Sequence, residues 1–327
     1  MYVHFEQLKD QFNSVLLKLG FTKARAELCA RVFAENSRDG VYSHGVNRFP
    51  VFVRYVRDGL INIDAEPEKT GQNGVMEFWD GHLAPGMYTA TLAMQQAIDI
   101  SKKNGLGCVS VKNTNHWMRG GTYGWQAAEA GCIGICSTNT IGNMPPWGGK
   151  EPRLGNNPLV ISVPRNQGHI VLDMAISQFS YGKLQEYELK NEQLPVAGGY
   201  DEQGRLTTVP GKIRASKRIL PIGFWKGSGL SLVLDILLAA LSGGRSVADI
   251  TADGKEYGLS QFFLCIHSKE LKLTVSDKII EYTKSSALVN DREEILYPGE
   301  KTLATRQRNE KQGIPVNEDI WEKIMNL

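Results

Sequence analysis

The chain has 327 residues, of which 42% are hydrophobic and 22% are charged, a composition that excludes a disordered or collagen-like protein. Its 37 basic and 35 acidic residues leave a net charge of +2, so bulk electrostatics favours no nucleic acid or other polyanionic partner. Glycine is enriched, with 34 residues. Glycine concentrated between Gly105 and Gly229 indicates tight turns or backbone held close to a ligand.

The first 60 residues predict three helices. Apolar residues at helical spacing predict a helix that stops at Gly20, and Thr22 is a suitable cap for a second helix ending near Gly40. A third apolar run covers residues 47–56. The N-terminus lacks the apolar stretch of a signal peptide, which predicts a cytoplasmic protein.

From about residue 74 the pattern alternates between strands and helices, which predicts an α/β fold with helical ends. Strands are predicted over 75–80, 108–111, 132–136, 159–163, 169–173 and 261–266, and helices over 86–103, 121–130 and 229–241. The segment 181–224 is predicted to be rich in loops. The segment from Gly229 to Leu241 is too short to span a membrane and carries Asp235, so we expect a buried helix. The last 30 residues are charged and helical after the turn Pro298-Gly299.

Five cysteines occur without a Cys-x-x-Cys pair, and their odd number argues against a disulfide framework. We expect reduced thiols in the core and no metal site. They are Cys29, Cys108, Cys132, Cys136 and Cys265.

Several common motifs are absent from the sequence: the Gly-x-Gly-x-x-Gly dinucleotide fingerprint, the phosphate-binding P-loop, His-Glu-x-x-His and Gly-x-Ser-x-Gly. A Rossmann dehydrogenase, a standard NTPase, a zinc protease and an α/β-hydrolase are therefore disfavoured.

The segment 42–50 holds the first candidate site. If it is helical, His44 and Arg48 lie on one face, where an imidazole can handle a proton and a guanidinium can hold a carboxylate. This pair suits a small α-substituted acid. The alternative is a capped helix start with an exposed arginine.

Three further segments are candidates. Asn115, His116 and Arg119 follow a predicted strand, where sites of α/β proteins are often found, although ordinary turn residues are the alternative. Lys226 stands among glycines before an apolar helix, a weak signal of phosphate binding. The segment 144–150 is a rigid turn that suits a pocket wall.

Motifs along nearly the whole chain resemble the malate/L-lactate dehydrogenase family, which is distinct from the Rossmann-type enzymes. They are Ser43-His44-Gly45 with Arg48, Asn115-His116, Gly155-Asn156-Asn157-Pro158, Leu194-Pro195, Asp201 with Gly204, Gly223 with Lys226-Gly227 and Gly229, and Pro298-Gly299-Glu300. Segments 42–50, 116–121 and 144–148 resemble one branch of that family, which reduces a diketo sugar acid.

The resemblance implies a cytoplasmic homodimer that reduces a small 2-oxo acid with NADH or NADPH, with no nucleic-acid or membrane partner. It implies a non-Rossmann NAD(P)-binding domain with a mixed sheet over 75–285, and a helical domain built from 1–74 and 286–327. Two alternatives remain open: another 2-oxo acid or a cyclic imino acid as substrate, or a non-catalytic dinucleotide-binding protein.

The resemblance also implies roles for individual residues. His44 would donate a proton, Arg48 would bind the substrate carboxylate, and His116, Asn115 and Ser43 would line the substrate pocket. The residues expected to hold the dinucleotide are His169, Ile170, Val171, Leu172, Asp173, Met174, Ala175, Trp225, Lys226, Gly299, Glu300 and Lys301.

Overall fold

A computed structural model describes residues 1–290 and 293–327. Residues 291 and 292, inside the predicted C-terminal segment, lie outside the described residues. The described residues form twelve α-helices: α1 Phe5–Lys18, α2 Lys23–Arg38, α3 Phe49–Arg57, α4 Gly86–Asn104, α5 Gly121–Glu129, α6 Tyr181–Leu189, α7 Pro210–Ser216, α8 Trp225–Ser242, α9 Val247–Ala252, α10 Val275–Lys284, α11 Glu300–Gln312 and α12 Glu318–Met325. A 3-10 turn covers Tyr42–His44.

The strands are mostly short and pair largely in an antiparallel manner. Their bounds are β1 Tyr2–Val3, β2 Glu68–Asn73, β3 Met76–Asp80, β4 Leu106–Thr114, β5 Ile133–Thr138, β6 Gly142–Met144, β7 Leu154–Gly155, β8 Leu159–Val163, β9 Ile170–Met174, β10 Gly199–Tyr200, β11 Leu206–Thr207, β12 Leu259–Ile266 and β13 Ile314–Pro315.

A seven-stranded sheet in the order β2-β3-β4-β12-β5-β8-β9 forms the centre of the α/β part. Only the β3–β4 pair of this sheet is parallel, so the predicted mixed sheet is confirmed. Helices α4 and α5 cover the face that carries Val109 and Phe263. Because side chains alternate along a strand, Lys112 and Ser260, which contact Gly244 after α8, place α8 on the other face.

The two ends of the chain share one hydrophobic core. In this core the rings of Phe12 and Phe49 stack and Phe33 meets Phe49 edge to face, and Ile314 and Ile324 from the C-terminal segment are fully buried in the same cluster. The short strands β1 and β13 pair antiparallel and join the two ends. These contacts are those expected of a helical domain built from both chain ends; the domain limits themselves stay a prediction.

The helix predicted over 229–241 differs from the expectation in two respects. Helix α8 begins at Trp225, and only one face of it is buried, through Ser231, Leu234 and Leu238. The other face is exposed although it is apolar. By length and composition α8 could cross a membrane, yet its Asp235 accepts hydrogen bonds from the Val247 amide and the Asn139 side chain within the fold.

The prediction of a loop-rich segment over 181–224 is wrong in part, because α6, α7 and the β10–β11 hairpin lie there. The sequence also did not reveal β2.

The glycines of the middle segment serve mainly close packing. A Cβ at Gly124 would lie 2.8 Å from Val160, and one at Gly227 would lie 2.1 Å from the Ile222 carbonyl oxygen.

All five cysteines are free and buried, as expected.

Candidate active site

His44 and Arg48 lie close together but not on one helix. His44 ends the 3-10 turn, and Arg48 immediately precedes α3. Gly45 between them approaches α2 so closely that a Cβ would lie 2.2 Å from the Ser37 Oγ. The side-chain amide of Asn36 donates to the His44 carbonyl at 3.0 Å, which fixes the turn against α2.

The imidazole rings of His44 and His116 stack, with centroids 5.6 Å apart and planes inclined by 14°. His116 follows the end of β4, as the sequence indicated. The Met118 amide donates to His116 Nδ1 at 3.0 Å, so the proton of neutral His116 is on Nε2. His44 Nδ1 lies 3.0 Å from the Ser43 hydroxyl oxygen. Two segments distant in sequence thus present paired imidazoles.

Both histidines are uncharged in the free protein at neutral pH. Burial and, next in size, the nearby Arg48 charge lower the pKa of His44 to about 4, while Asp173 acts in the opposite direction. Burial, Arg48 and His44 together lower the pKa of His116 well below its usual value. An anion bound at Arg48 would offset part of this repulsion, and would thereby favour protonation of the imidazoles.

Ser43 and Asn115 occupy different surroundings. Ser43 contacts α6, since a Cβ on Gly182 would lie 2.7 Å from the Ser43 Cβ. Asn115 is buried, and its amide nitrogen donates to the carbonyls of Leu60, Leu83 and Ala84 at 3.3, 2.7 and 3.2 Å. These bonds indicate that Asn115 holds the backbone around the β4 end.

A buried ion network supports the segment after β4. Arg119 donates to Asp39 Oδ2 at 2.8 Å, and Arg306 from α11 binds the same carboxylate. Arg119 Nε also lies 3.5 Å from the Asp173 carboxylate, which accepts from the Gly121 amide at 2.9 Å. The network connects the helical core, the candidate site and strand β9.

Sequence reasoning missed one charged residue of the cluster. Glu256 lies 3.9 Å from both Arg48 and His116. It belongs to no recognisable motif and stands three positions before β12 in the sequence, so only the fold shows its proximity.

The segments expected to hold a dinucleotide meet along β9, the edge strand of the large sheet. At its start, the Val171 amide donates to the Pro298 carbonyl at 2.9 Å, and Gly299 lies against His169. Just past its end, the Ile222 amide donates to the Ile176 carbonyl at 2.9 Å. The N-termini of α11 and α8 therefore lie near opposite ends of this strand.

The side chains of these segments differ in their surroundings. Trp225 and Lys226 are exposed in the first turn of α8. Glu300 accepts from the Tyr297 amide at 3.1 Å and pairs with Lys284, so it helps to cap α11. Lys301 is exposed beside it.

Two clefts of about 350 and 470 Å³ lie elsewhere on the described surface. The first contains Asp39, Trp125 and Arg306, and the second contains Asp80 and Tyr257. Neither cleft is lined by a site residue that the sequence analysis proposed. The candidate site is therefore identified from the chemistry of its side chains and not from a cleft.

A family model described as malate/L-lactate dehydrogenase matches residues 3–325. A curated relative from Escherichia coli O6:K15:H31, 2,3-diketo-L-gulonate reductase, is 45% identical over 336 aligned positions that cover the whole of both chains.

Solved structures of similar proteins share the fold. Malate dehydrogenase from Entamoeba histolytica superposes with a TM-score of 0.93 at 25% identity, over 100% of this chain and 96% of the other. Sulfolactate dehydrogenase from Methanocaldococcus jannaschii superposes with a TM-score of 0.88 at 29% identity, over 99% and 95%.

Proposed function

We propose a specific reductase activity for this chain, which belongs to the malate/L-lactate dehydrogenase family and is an oxidoreductase. The reaction is the reduction of 2,3-diketo-L-gulonate to 3-dehydro-L-gulonate by NADH. The observation that carries the proposal is the position of Arg48 beside the stacked pair His44 and His116, which combines a carboxylate anchor with proton donors.

In this proposal Arg48 binds the substrate carboxylate through its planar guanidinium. The carboxylate offsets the Arg48 charge, so the pKa of His44 rises and the imidazolium becomes accessible. Negative charge develops on the carbonyl oxygen at position 2, and His44 donates a proton to it. His116 keeps its Nε2 proton directed at the same space, and Ser43 orients His44 through Nδ1.

The residues along β9 fit a dinucleotide. Two helix N-termini and the side chains of Lys226 and Lys301 supply the positive charge that a pyrophosphate needs, and the exposed Trp225 ring offers a stacking surface. The backbone of 169–175 would line this site together with Gly299 and Glu300. When bound, NADH supplies the hydride that adds to the carbonyl carbon.

We further propose that the protein is a cytoplasmic homodimer that pairs through the exposed face of α8. This face consists of Gly229, Leu232, Val233, Ile236, Leu237 and Ala240, which recur at helical spacing. Val233 and Ile236 are 57% and 59% exposed. Because the face carries no charge, it can oppose its own copy across a two-fold axis without repulsion. The five free cysteines fit a reducing compartment.

Related substrates form the second candidate, because the relatives of similar fold are named as malate and sulfolactate dehydrogenases. The test is the rate of NADH and NADPH oxidation with 2,3-diketo-L-gulonate, pyruvate, oxaloacetate and piperideine-2-carboxylate. We expect the highest kcat/KM with 2,3-diketo-L-gulonate and NADH. A higher kcat/KM with another acid would reassign the substrate, and binding of NADH without turnover of any acid would contradict the reductase.

A further inference from the structure

Glu256 is a carboxylate held inside the candidate site. Its side chain is 15% exposed, and its Oε2 accepts a hydrogen bond from the Ile141 amide at 3.2 Å. That bond fixes one oxygen to the backbone. The other oxygen, Oε1, is directed at Arg48 and His116.

Two polar atoms lie just beyond hydrogen-bonding distance of Glu256 Oε1. The distance is 3.9 Å to Arg48 Nη2 and 3.9 Å to His116 Nε2, and both are too long for a direct hydrogen bond. A hydroxyl group or a water between them could bond to more than one of the three groups. Since His116 carries its proton on Nε2, this space has one donor from His116 and one acceptor from Glu256.

The charge at this position disfavours a second negative group. A substrate carboxylate at Arg48 is compensated by the guanidinium. A further carboxylate near Oε1 would meet the charge of Glu256, and among the described residues only Arg48 and His116 form ion-pair contacts with Glu256 within 4 Å. Two neighbouring arginines are already engaged, Arg119 with Asp39 and Arg245 with Asp253. Two like charges about 5 Å apart near a protein surface repel strongly enough to change binding by one to two orders of magnitude.

We propose that Glu256 is a specificity-determining residue that admits 2-oxo acids with a neutral, hydroxyl-bearing substituent and rejects 2-oxo dicarboxylates. The hydroxyl on C4 of 2,3-diketo-L-gulonate, two carbons from the reacting carbonyl carbon, donates to Oε1, whereas the C4 carboxylate of a 2-oxo dicarboxylate is repelled. The inference rests on the proposed 2-oxo acid reductase activity and on Arg48 as its carboxylate anchor.

The test compares wild type with Glu256→Gln, which keeps an oxygen for the Ile141 amide and removes the charge. The measurement is kcat/KM with 2,3-diketo-L-gulonate and with oxaloacetate, using the same cofactor. We expect the ratio of the two values to shift toward oxaloacetate by about tenfold to a hundredfold. Glu270→Gln makes the same change at an exposed glutamate after the far end of β12, outside the site, and its ratio should equal that of wild type.

A folded Glu256→Gln variant with an unchanged ratio would overturn the inference and leave the reductase standing. A second measurement needs no variant and compares the inhibition of wild type by L-malate and by 2,4-dihydroxybutyrate. L-malate carries a carboxylate at the position where 2,4-dihydroxybutyrate carries a hydroxymethyl group. We expect the hydroxyl compound to bind at least tenfold more tightly. Equal binding overturns the inference, and a wild type that reduces no 2-oxo acid overturns the proposed function together with it.

Discussion

The carboxylate of Asp39 accepts two parallel hydrogen bonds from the guanidinium of Arg306, each 2.8 Å long. The two residues are 267 positions apart: Asp39 directly follows α2, and Arg306 lies on α11. Asp39 is 5% exposed and also binds Arg119. Burial alone would raise the pKa of Asp39, but the Arg306 hydrogen bond and the charges of Arg119 and Arg306 hold it below its usual value. This ion network therefore fixes the segment that carries His116 relative to the helical core.

Replacement of Asp39 by asparagine should destabilise the fold strongly. It removes the nearer negative partner of the buried Arg119 and leaves only Asp173, 3.5 Å away, and breaking one side of a buried pair costs about 3–5 kcal/mol. The free energy of unfolding, measured by urea denaturation, should fall by that amount.

The matched control for Asp39→Asn is Asp253→Asn, which removes a carboxylate paired with Arg245 in a 43% exposed position. An exposed pair contributes at most about 1 kcal/mol. Equal losses in the two variants would show that the Asp39 network has no special role in stability.

Loss of the His44 imidazole should impair the chemical step. Removing a general acid typically lowers the rate by about 10²–10⁴, so His44→Ala should lower kcat by that factor. NADH binding, followed by the fluorescence of the reduced nicotinamide, should stay near wild type. The same assay on His116→Ala tests the other imidazole of the stacked pair. If His116→Ala lowers kcat more than His44→Ala does, the proton donor is His116.

Replacement of Arg48 by methionine should raise the pKa of His44. The Arg48 charge is the second contribution to the low value, after burial, so the pKa should rise from about 4 but stay below 6.5. An NMR titration of the imidazole resonances measures the change directly. Arg54→Met, at an exposed position of α3, is the control and should leave the His44 titration unaltered. If the pKa of His44 is the same in Arg48→Met as in wild type, the proposed electrostatic effect of Arg48 on His44 is wrong.

Stability should fall between pH 6.5 and pH 4 because of His44. The unfolded chain takes up a proton near pH 6.5, whereas folded His44 does so only near pH 4. Its contribution is therefore complete above pH 6.5 and is lost as the pH falls through this range, at up to about 1.4 kcal/mol per pH unit. Urea denaturation from pH 7.5 to 4 should show a smaller decline for His44→Gln than for wild type.

The exposed His82 is the control for this pH dependence, because its side chain is 46% exposed. His82→Gln should follow the wild-type profile. A His44→Gln profile that also coincides with wild type would contradict the burial-driven pKa.

Local patterns predicted the regular elements well, and long-range packing accounts for what they missed. The Gly20 stop and the Thr22 cap are confirmed, because each acts within one helical turn; Thr22 accepts from the Arg25 amide. Glu256 was missed because its neighbours in space, Arg48 and His116, are 208 and 140 positions away in the sequence. Asn115 was predicted to line the pocket because it stands next to His116 in the sequence. Its side-chain amide instead donates hydrogen bonds to loop carbonyls, and no sequence pattern indicates these contacts. Helix α8 was predicted to be buried because hydropathy does not distinguish a face buried in the core from an apolar face that is exposed.

That exposed face of α8 leads to the last prediction, which concerns assembly. Replacement of Ile236 by aspartate places a charge on a surface that we propose opposes its own copy, so the two aspartates would repel and be desolvated in the dimer. Because Ile236 is already 59% exposed in the single chain, the fold of the monomer should tolerate the change. Light scattering coupled to gel filtration should give twice the chain mass of 36.2 kDa for wild type and a single chain mass for Ile236→Asp. Leu189→Asp changes an apolar residue of α6 that is 76% exposed and does not belong to the α8 face, and this variant should remain a dimer. A dimeric Ile236→Asp would exclude this face, and a monomeric wild type would exclude the homodimer itself.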